Sequence, residues 1–98
     1  MVRLSEENQN LLGMLLRKYY FFKRNTAGQK FDVVVRECVY ATCSAIIEAQ
    51  GIRLSEASSV AFEEVEGDYN GVPSWYRTLR FYNGDEGSFE YTSIDKIF

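Results

Sequence analysis

The sequence predicts an α+β fold in which two N-terminal helices precede a three-stranded antiparallel β-meander (ααβββ). Near Gly51 the hydrophobic pattern changes period, because apolar residues three and four apart give way to alternating aromatic and polar residues. Two turn signals, Asn70-Gly71 and Asn83-Gly84, then divide the second half into segments of strand length. A chain of 98 residues is long enough for one hydrophobic core. We therefore expect a single small domain over residues 1–98.

The first helix is predicted over about residues 5–25. Ser5 is a suitable N-cap, and acidic residues in the first turn with basic residues in the last turn match the helix dipole. A second row on the far side repeats every seven residues and combines two apolar residues with two arginines. The main apolar stripe is Leu4, Leu11, Leu12, Leu15, Tyr19 and Phe22, and the second row is Asn10, Met14, Arg17, Phe21 and Arg24.

The second helix is predicted over about residues 27–50. Thr26 and Gln29 have the spacing of a capping box, and Gly51 fits a left-handed C-cap. Apolar residues lie on two nearly opposite sides, so we expect this helix to be enclosed between the sheet and either the first helix or another subunit. The main stripe is Phe31, Val35, Cys38, Thr42, Ala45 and Ala49, and the opposite row is Val33, Tyr40 and Ile47.

Three strands are predicted over about residues 59–66, 75–83 and 88–96. The phenylalanines of the last two strands can be buried on the same face only if even-numbered residues pair with even-numbered ones and odd with odd. The predicted pairs are Tyr82 with Ser88, Arg80 with Glu90, and Thr78 with Thr92.

The first strand is less regular than the other two. Val60 and Phe62 alternate correctly, but the next inward position is occupied by Glu64. We expect either a bulge near Glu63 and Glu64 or an early end of the strand.

Protein binding is the function that the surface residues favour. A rigid face rich in tyrosine is typical of binding surfaces, and a dense acidic segment would attract a basic partner. The predicted contacts on the sheet are Tyr76, Arg80, Tyr82 and Glu90, together with Glu63, Glu64, Glu66, Asp68 and Tyr69. The predicted oligomer interface or alternative binding surface is Met14, Arg17, Phe21 and Arg24.

The main alternative is nucleic-acid binding through the basic and aromatic end of the first helix. Residues 1–50 contain seven basic and five acidic residues, whereas residues 51–98 contain four and nine. In such a complex the basic side chains of this segment would contact phosphates, and its aromatic rings would stack on bases. The cations concerned are Arg17, Lys18, Lys23 and Arg24.

The residue content gives little support to catalysis. The chain has no His, the commonest general base and metal ligand, and no phosphate-binding glycine loop. Cys38 and Cys43 are read as free thiols, because on one helix they would point in different directions. We expect no cofactor and no metal. An enzyme or small-ligand carrier, the third class, would need a concave apolar pocket with a few convergent polar groups.

The expected protein is therefore a cytoplasmic, non-enzymatic protein-protein interaction module. The N-terminus lacks the residue order of a signal peptide, and no apolar run is long enough to span a membrane. Small stand-alone adaptors, immunity proteins and phage-encoded inhibitors share this size and composition, so a small inhibitor or adaptor is expected, with a protein partner. The two-sided apolar helices further predict a symmetric homo-dimer.

Overall fold

The computed structural model describes residues 2–25 and 29–98. The elements, in chain order, are α1 (Glu6–Arg24), α2 (Gln29–Ala49), β1 (Ser59–Tyr69), β2 (Val72–Tyr82) and β3 (Phe89–Lys96). The strands form one antiparallel sheet in the order β1-β2-β3, which confirms the predicted α+β fold. The predicted capping residue Thr26 and helix residues 27–28 lie outside the described residues.

Helix α1 begins at its predicted cap, since the Ser5 side chain accepts a hydrogen bond from the backbone N–H of Asn8. Its buried side is turned slightly from the predicted stripe. Leu12 and Leu16 are completely buried, whereas Leu11 is 37% exposed and Phe22 is half-buried. The helix is therefore oriented by the residues that reach the sheet and α2, including two consecutive buried tyrosines, Tyr19 and Tyr20.

Helix α2 is turned by roughly a quarter of a turn from the predicted orientation, so that its buried side lies between the two predicted rows. The expected stripe is wrong for Phe31, Cys38, Ala45 and Ala49, which are all exposed. Cys38, Ala45 and Ala49 are small and would remove little apolar area from water, so larger residues in the middle of the helix determine which side packs inward. The residues that pack inward are Val39, Cys43, Ile46 and Ile47, with Val35 and Tyr40 at their margin.

Of the predicted second row of α2, Val33 is 56% exposed and Ile47 is completely buried, while Tyr40 contacts the sheet. The Tyr40 ring centroid lies 5.8 Å from that of Phe81, and the Tyr40 hydroxyl hydrogen-bonds the Ser58 side chain. The helix ends as predicted, with Gly51 at φ +77° and the Ile52 N–H donating to the Ile47 carbonyl.

Strands β1 and β2 form a long hairpin with a two-residue turn. Asn70 and Gly71 have φ values of 52° and 81°, as a type I′ turn requires, so this turn signal is confirmed. Pairing continues without interruption from Ser59–Tyr82 to Tyr69–Val72. The predicted bulge or early strand end near Glu64 is therefore wrong. The strand stays regular because Glu64 lies directly opposite Arg77, which compensates its charge on the inner face of the sheet.

The β2–β3 register agrees with the sequence prediction. Arg80 is paired with Glu90 and Thr78 with Thr92. Leu79, Phe81 and Phe89 therefore point together toward the helices, where they are at most 2% exposed. The core lies between this inner face of the sheet and the two helices. Within the described residues, neither helix combines the length and the apolar character needed to cross a membrane.

Candidate protein-binding face

The side of the sheet that points away from the helices, called here the outer face, is not covered by any described part of the chain. Three apolar residues stand in register across it, because Val65 pairs with Tyr76 and Tyr76 pairs with Ile94. Val65 is 52% exposed and Ile94 is 44% exposed. Exposed apolar residues are ordinary when scattered, but a row that crosses all three strands is a feature of contact surfaces.

Tyr76, at the centre of this row, is held flat against the sheet. A β-carbon at Gly67 would lie 2.5 Å from the Tyr76 ring, so the ring occupies the space that a larger residue would fill. The Tyr76 hydroxyl donates a hydrogen bond of 2.6 Å to the backbone carbonyl of Asp68. Since the ring is already fixed, a partner that packs on it loses little side-chain entropy.

A shallow hollow of about 450 Å³ adjoins the apolar row at the end near the β1–β2 turn. Its floor is Ser74, which is 1% exposed and donates its hydroxyl to the Val72 carbonyl. Tyr69 stands at one side and is 49% exposed. The hollow is open, mostly apolar and large enough for one side chain of a partner. Its lining consists of Tyr69, Asn70, Val72, Ser74, Ile94 and Lys96.

The other half of the outer face is polar. Arg80 Nε donates to Glu90 Oε2 at 2.9 Å, and the hydroxyls of Thr78 and Thr92 lie 3.3 Å apart. The Arg80 and Glu90 side chains are each nearly half exposed. This pair therefore stabilises the sheet and also lies within reach of a partner.

The structure brings six of the nine predicted sheet contacts together on the outer face and separates the other three from it. The residues on the outer face are Glu63, Tyr69, Tyr76, Arg80, Tyr82 and Glu90. Glu66 and Asp68 are exposed near the β1–β2 turn, but the register places them on the inner-face side of β1 with Glu64. Glu64 itself points to the inner face, where its carboxylate is bound by Arg77 and Arg24. Its charge is therefore engaged within the chain.

A chain of five alternating charges lies beneath the inner face and was missed by sequence reasoning. Arg77 is 3% exposed, and it donates from Nε to Glu64 Oε2 at 2.7 Å and from Nη1 to Asp95 Oδ2 at 3.0 Å. Helix α1 completes the chain, since Arg17 pairs with Asp95 and Arg24 with Glu64. We call these five residues the ionic network. It connects α1 to all three strands.

The ionic network uses two of the cations predicted for nucleic-acid binding. Arg17 and Arg24 each hold a carboxylate, and the Arg24 guanidinium lies 4.3 Å from the centroid of the Trp75 ring. Tyr19 and Tyr20 are buried in the core, so their faces are not open to bases. The exposed residues of this segment are Arg17, Lys18, Phe21, Lys23 and Arg24, so the two arginines are exposed although they are paired.

Met14 and Phe21, from the predicted oligomer interface, do lie on an open side of α1. They are 47% and 59% exposed. The Phe21 ring contacts Phe22, and the Phe22 ring stacks on Phe31 of α2 at 5.4 Å between centroids. An aromatic cluster therefore joins the solvent sides of the two helices.

A second concave surface runs between α1 and β3 and bears on the small-ligand hypothesis. It has a volume of about 550 Å³, and its floor includes Arg77 and Asp95. These two groups neutralise each other, and no buried side-chain nitrogen or oxygen in residues 2–25 and 29–98 lacks a hydrogen-bond partner. The same ranges hold no cluster of three or more potential metal ligands. The groove therefore offers a ligand no unsatisfied buried group.

Acid is expected to weaken the ionic network at Asp95. Burial alone would raise the pKa of this carboxyl, but the hydrogen bonds and charges of Arg77 and Arg17 outweigh it and hold the pKa below the usual 3.8. A carboxylate with a lowered folded-state pKa stabilises the fold above its ordinary pKa, and this contribution is lost as the pH falls through the folded-state value. The wild type should therefore exceed Asp95→Asn in free energy of unfolding at about pH 6, and the difference should shrink below 3.8. Urea unfolding of both proteins across this range measures it, and a difference independent of pH would contradict the assignment.

No protein-family model matches the chain. Among curated proteins and among solved structures, none is significantly similar to it. Its function is therefore inferred from its surfaces. These surfaces differ in how many of their side chains already form ion pairs or hydrogen bonds within the chain.

Proposed function

We propose that this chain is a non-enzymatic protein-binding module and that the outer face of its sheet is the contact surface. The observation that carries the proposal is the exposed row of Val65, Tyr76 and Ile94 beside an open apolar hollow. Interfaces typically combine such an apolar centre with a polar rim. In this proposal the protein is cytoplasmic and acts as a small inhibitor or adaptor that blocks or recruits a larger macromolecule.

The chemistry of the face indicates what kind of protein surface it fits. The hollow accepts one apolar side chain, and strand β1 carries exposed acidic groups: Glu63 on the outer face, and Glu66 and Asp68 nearer the turn on the other face. The whole chain carries a formal net charge of −3. Complementary charge speeds association and excludes wrong partners. The proposed partner surface is therefore an apolar residue flanked by lysine or arginine.

A variant of Ile94 tests the proposal. We expect Ile94→Glu to weaken partner binding at least about 30-fold, because a charge at an interface centre costs roughly 2 kcal/mol or more. The measurement is quantitative affinity capture from nuclease-treated lysate of the native host, followed by titration of the purified partner. Ala57→Glu is the matched control, because Ala57 is exposed in the α2–β1 connection. Both variants should unfold at the same urea concentration as the wild type.

The outcomes of this experiment separate the hypotheses. Equal capture by Ile94→Glu and the wild type would show that the outer face is not the contact surface. Loss of the captured material on nuclease treatment would instead favour nucleic-acid binding through Lys18 and Lys23, which should then weaken steeply as salt is raised. We rank that function second because Arg17 and Arg24 are held by carboxylates of the sheet.

Self-association as a symmetric homo-dimer is the other part of the proposal. It is supported by the exposed apolar residues on the solvent side of the helices, including Met14, Phe21 and Phe31. This surface is separate from the outer face, so dimerisation would leave the partner-binding surface accessible.

A further inference from the structure

Helix α2 carries a solvent-facing stripe that no described part of the chain covers. We propose that a second copy of this chain docks antiparallel along that stripe, so that the dimer presents two outer faces in opposite directions. The inference rests on the self-association in the proposed function and adds its surface, orientation and consequence. The α2 stripe consists of Phe31, Val34, Cys38, Ala41, Ala45 and Ala49, all of which are exposed.

The side chains of the α2 stripe are graded in size along the helix. The N-terminal half presents Phe31 and Val34, which are 58% and 53% exposed. The C-terminal half presents Ala41, Ala45 and Ala49, which repeat every fourth residue and allow a neighbouring helix to approach closely. Large residues fill the space over small ones when the copies run in opposite directions. A parallel copy would oppose large to large and leave gaps between the alanines.

Charge favours the same orientation. At 100° per residue, Lys30 and Glu48 lie on the same flank of the α2 stripe, near its two ends. With the two-fold axis between Cys38 and Ala41, an antiparallel copy brings Lys30 of one chain beside Glu48 of the other, twice per dimer. In a parallel pair these opposite charges stay at opposite ends of the interface. The pattern is self-complementary, as a two-fold interface must be.

The available area is of the order that a dimer needs. Helix α2 has 21 residues and is therefore about 30 Å long. The cluster of Phe21, Phe22 and Phe31 continues the apolar surface onto α1. Two adjacent helices together present roughly 600 Å² in projection, close to the roughly 800 Å² per partner of standard interfaces.

This arrangement makes the protein bivalent. In each copy the helices lie on the inner face of the sheet, so helix-to-helix docking gives the layer order sheet, helices, helices, sheet. The two outer faces then point away from each other. Two molecules of the partner could be held at once, which is the property of an adaptor that bridges rather than one that only blocks.

Sedimentation of the full chain is the first test. We expect the wild type to sediment as a dimer at micromolar concentration and Ala45→Arg to sediment as a folded monomer of 11.3 kDa. Ala45 is exposed and arginine is a good helix former, so the substitution should preserve the fold. Ile94→Glu, on the outer face, should remain dimeric. A monomeric wild type, or a dimer that persists in Ala45→Arg, would overturn the inference without affecting the outer face.

Cysteine trapping tests the orientation. In a Cys38→Ser background, we mix Val34→Cys with Ala45→Cys and oxidise mildly. An antiparallel dimer predicts the mixed disulfide between positions 34 and 45, whereas a parallel one predicts Val34→Cys linked to itself. Cys43 should not interfere, because it is buried and burial raises the pKa of its thiol to about 12. Predominance of the self-linked product would overturn the antiparallel arrangement.

Discussion

Arg77→Ala is expected to lower the free energy of unfolding by up to about 3–5 kcal/mol, because it removes the buried cation that two inner-face carboxylates share and leaves them only the exposed arginines of α1. The Arg77 side chain is 4% exposed, and those of Glu64 and Asp95 are 12% and 30% exposed. Water therefore has little access to Glu64 and only partial access to Asp95. A domain of this size has a total stability of roughly 5–15 kcal/mol, so the loss should be a large fraction of it. Urea unfolding followed by Trp75 fluorescence measures the change.

Arg80 provides a matched control on the same strand. Arg80 also binds a glutamate across strands, but its side chain is 48% exposed, so Arg80→Ala should cause a much smaller loss. A combined Arg77→Met, Glu64→Gln and Asp95→Asn variant should recover part of the stability, since removing all the buried charges together leaves none uncompensated. If Arg77→Ala were no more damaging than Arg80→Ala, the network would not stabilise the fold.

The ionic network also explains how the outer face can be open and still rigid. Its five charges tie α1 to β1 through Glu64, to β2 through Arg77 and to β3 through Asp95. The sheet is therefore held from its inner side alone. Tyr76, resting on Gly67, keeps its position without a covering layer. A binding surface of this kind is preformed and needs no ordering on contact.

Sequence periodicity predicted the architecture because each element has its own clear signal. The two helices, the turn at Asn70-Gly71 and the pairing of Arg80 with Glu90 all depend on local patterns of one or two elements. The buried side of α2 could not be predicted in the same way, because that helix is apolar on two sides. The packing of Val39, Cys43 and Ile46 in the core, and of Tyr40 against Phe81, places the buried side between the two.

The sequence predicted only those residues of the candidate site whose position depends on the β2–β3 hairpin alone. Alternation along β2 and β3 placed Tyr76, Arg80 and Tyr82 on the outer face. The row through Val65 and the partner of Glu64 both depend on the β1–β2 register. The predicted strands ended at residue 66 and began again at residue 75, which left this register undefined. An inward glutamate therefore looked like a disruption of the strand. A charged residue at an inward position is better interpreted as half of a pair whose other member lies on the next strand.

The sheet register makes a final prediction about two neighbouring aromatic residues. Phe81 is completely buried, with its ring centroid 5.8 Å from that of Tyr40 and 5.5 Å from that of Phe89. Phe81→Ala should lower the free energy of unfolding by about 3–5 kcal/mol, since it removes apolar contacts and leaves a cavity. Tyr82 is 47% exposed on the outer face, so Tyr82→Ala should cost less than about 1 kcal/mol.

Urea unfolding of both alanine variants distinguishes the register from its alternative. Phe98→Ala serves as a further control for the loss of a phenylalanine ring, because Phe98 is 96% exposed. A shift of one residue along β2 would exchange the two sides of the sheet, placing Tyr82 in the core and Phe81 in water. The order of the two effects would then be reversed. Because the outer face consists of the side chains that this register leaves uncovered, a reversed order would contradict the binding surface together with the fold.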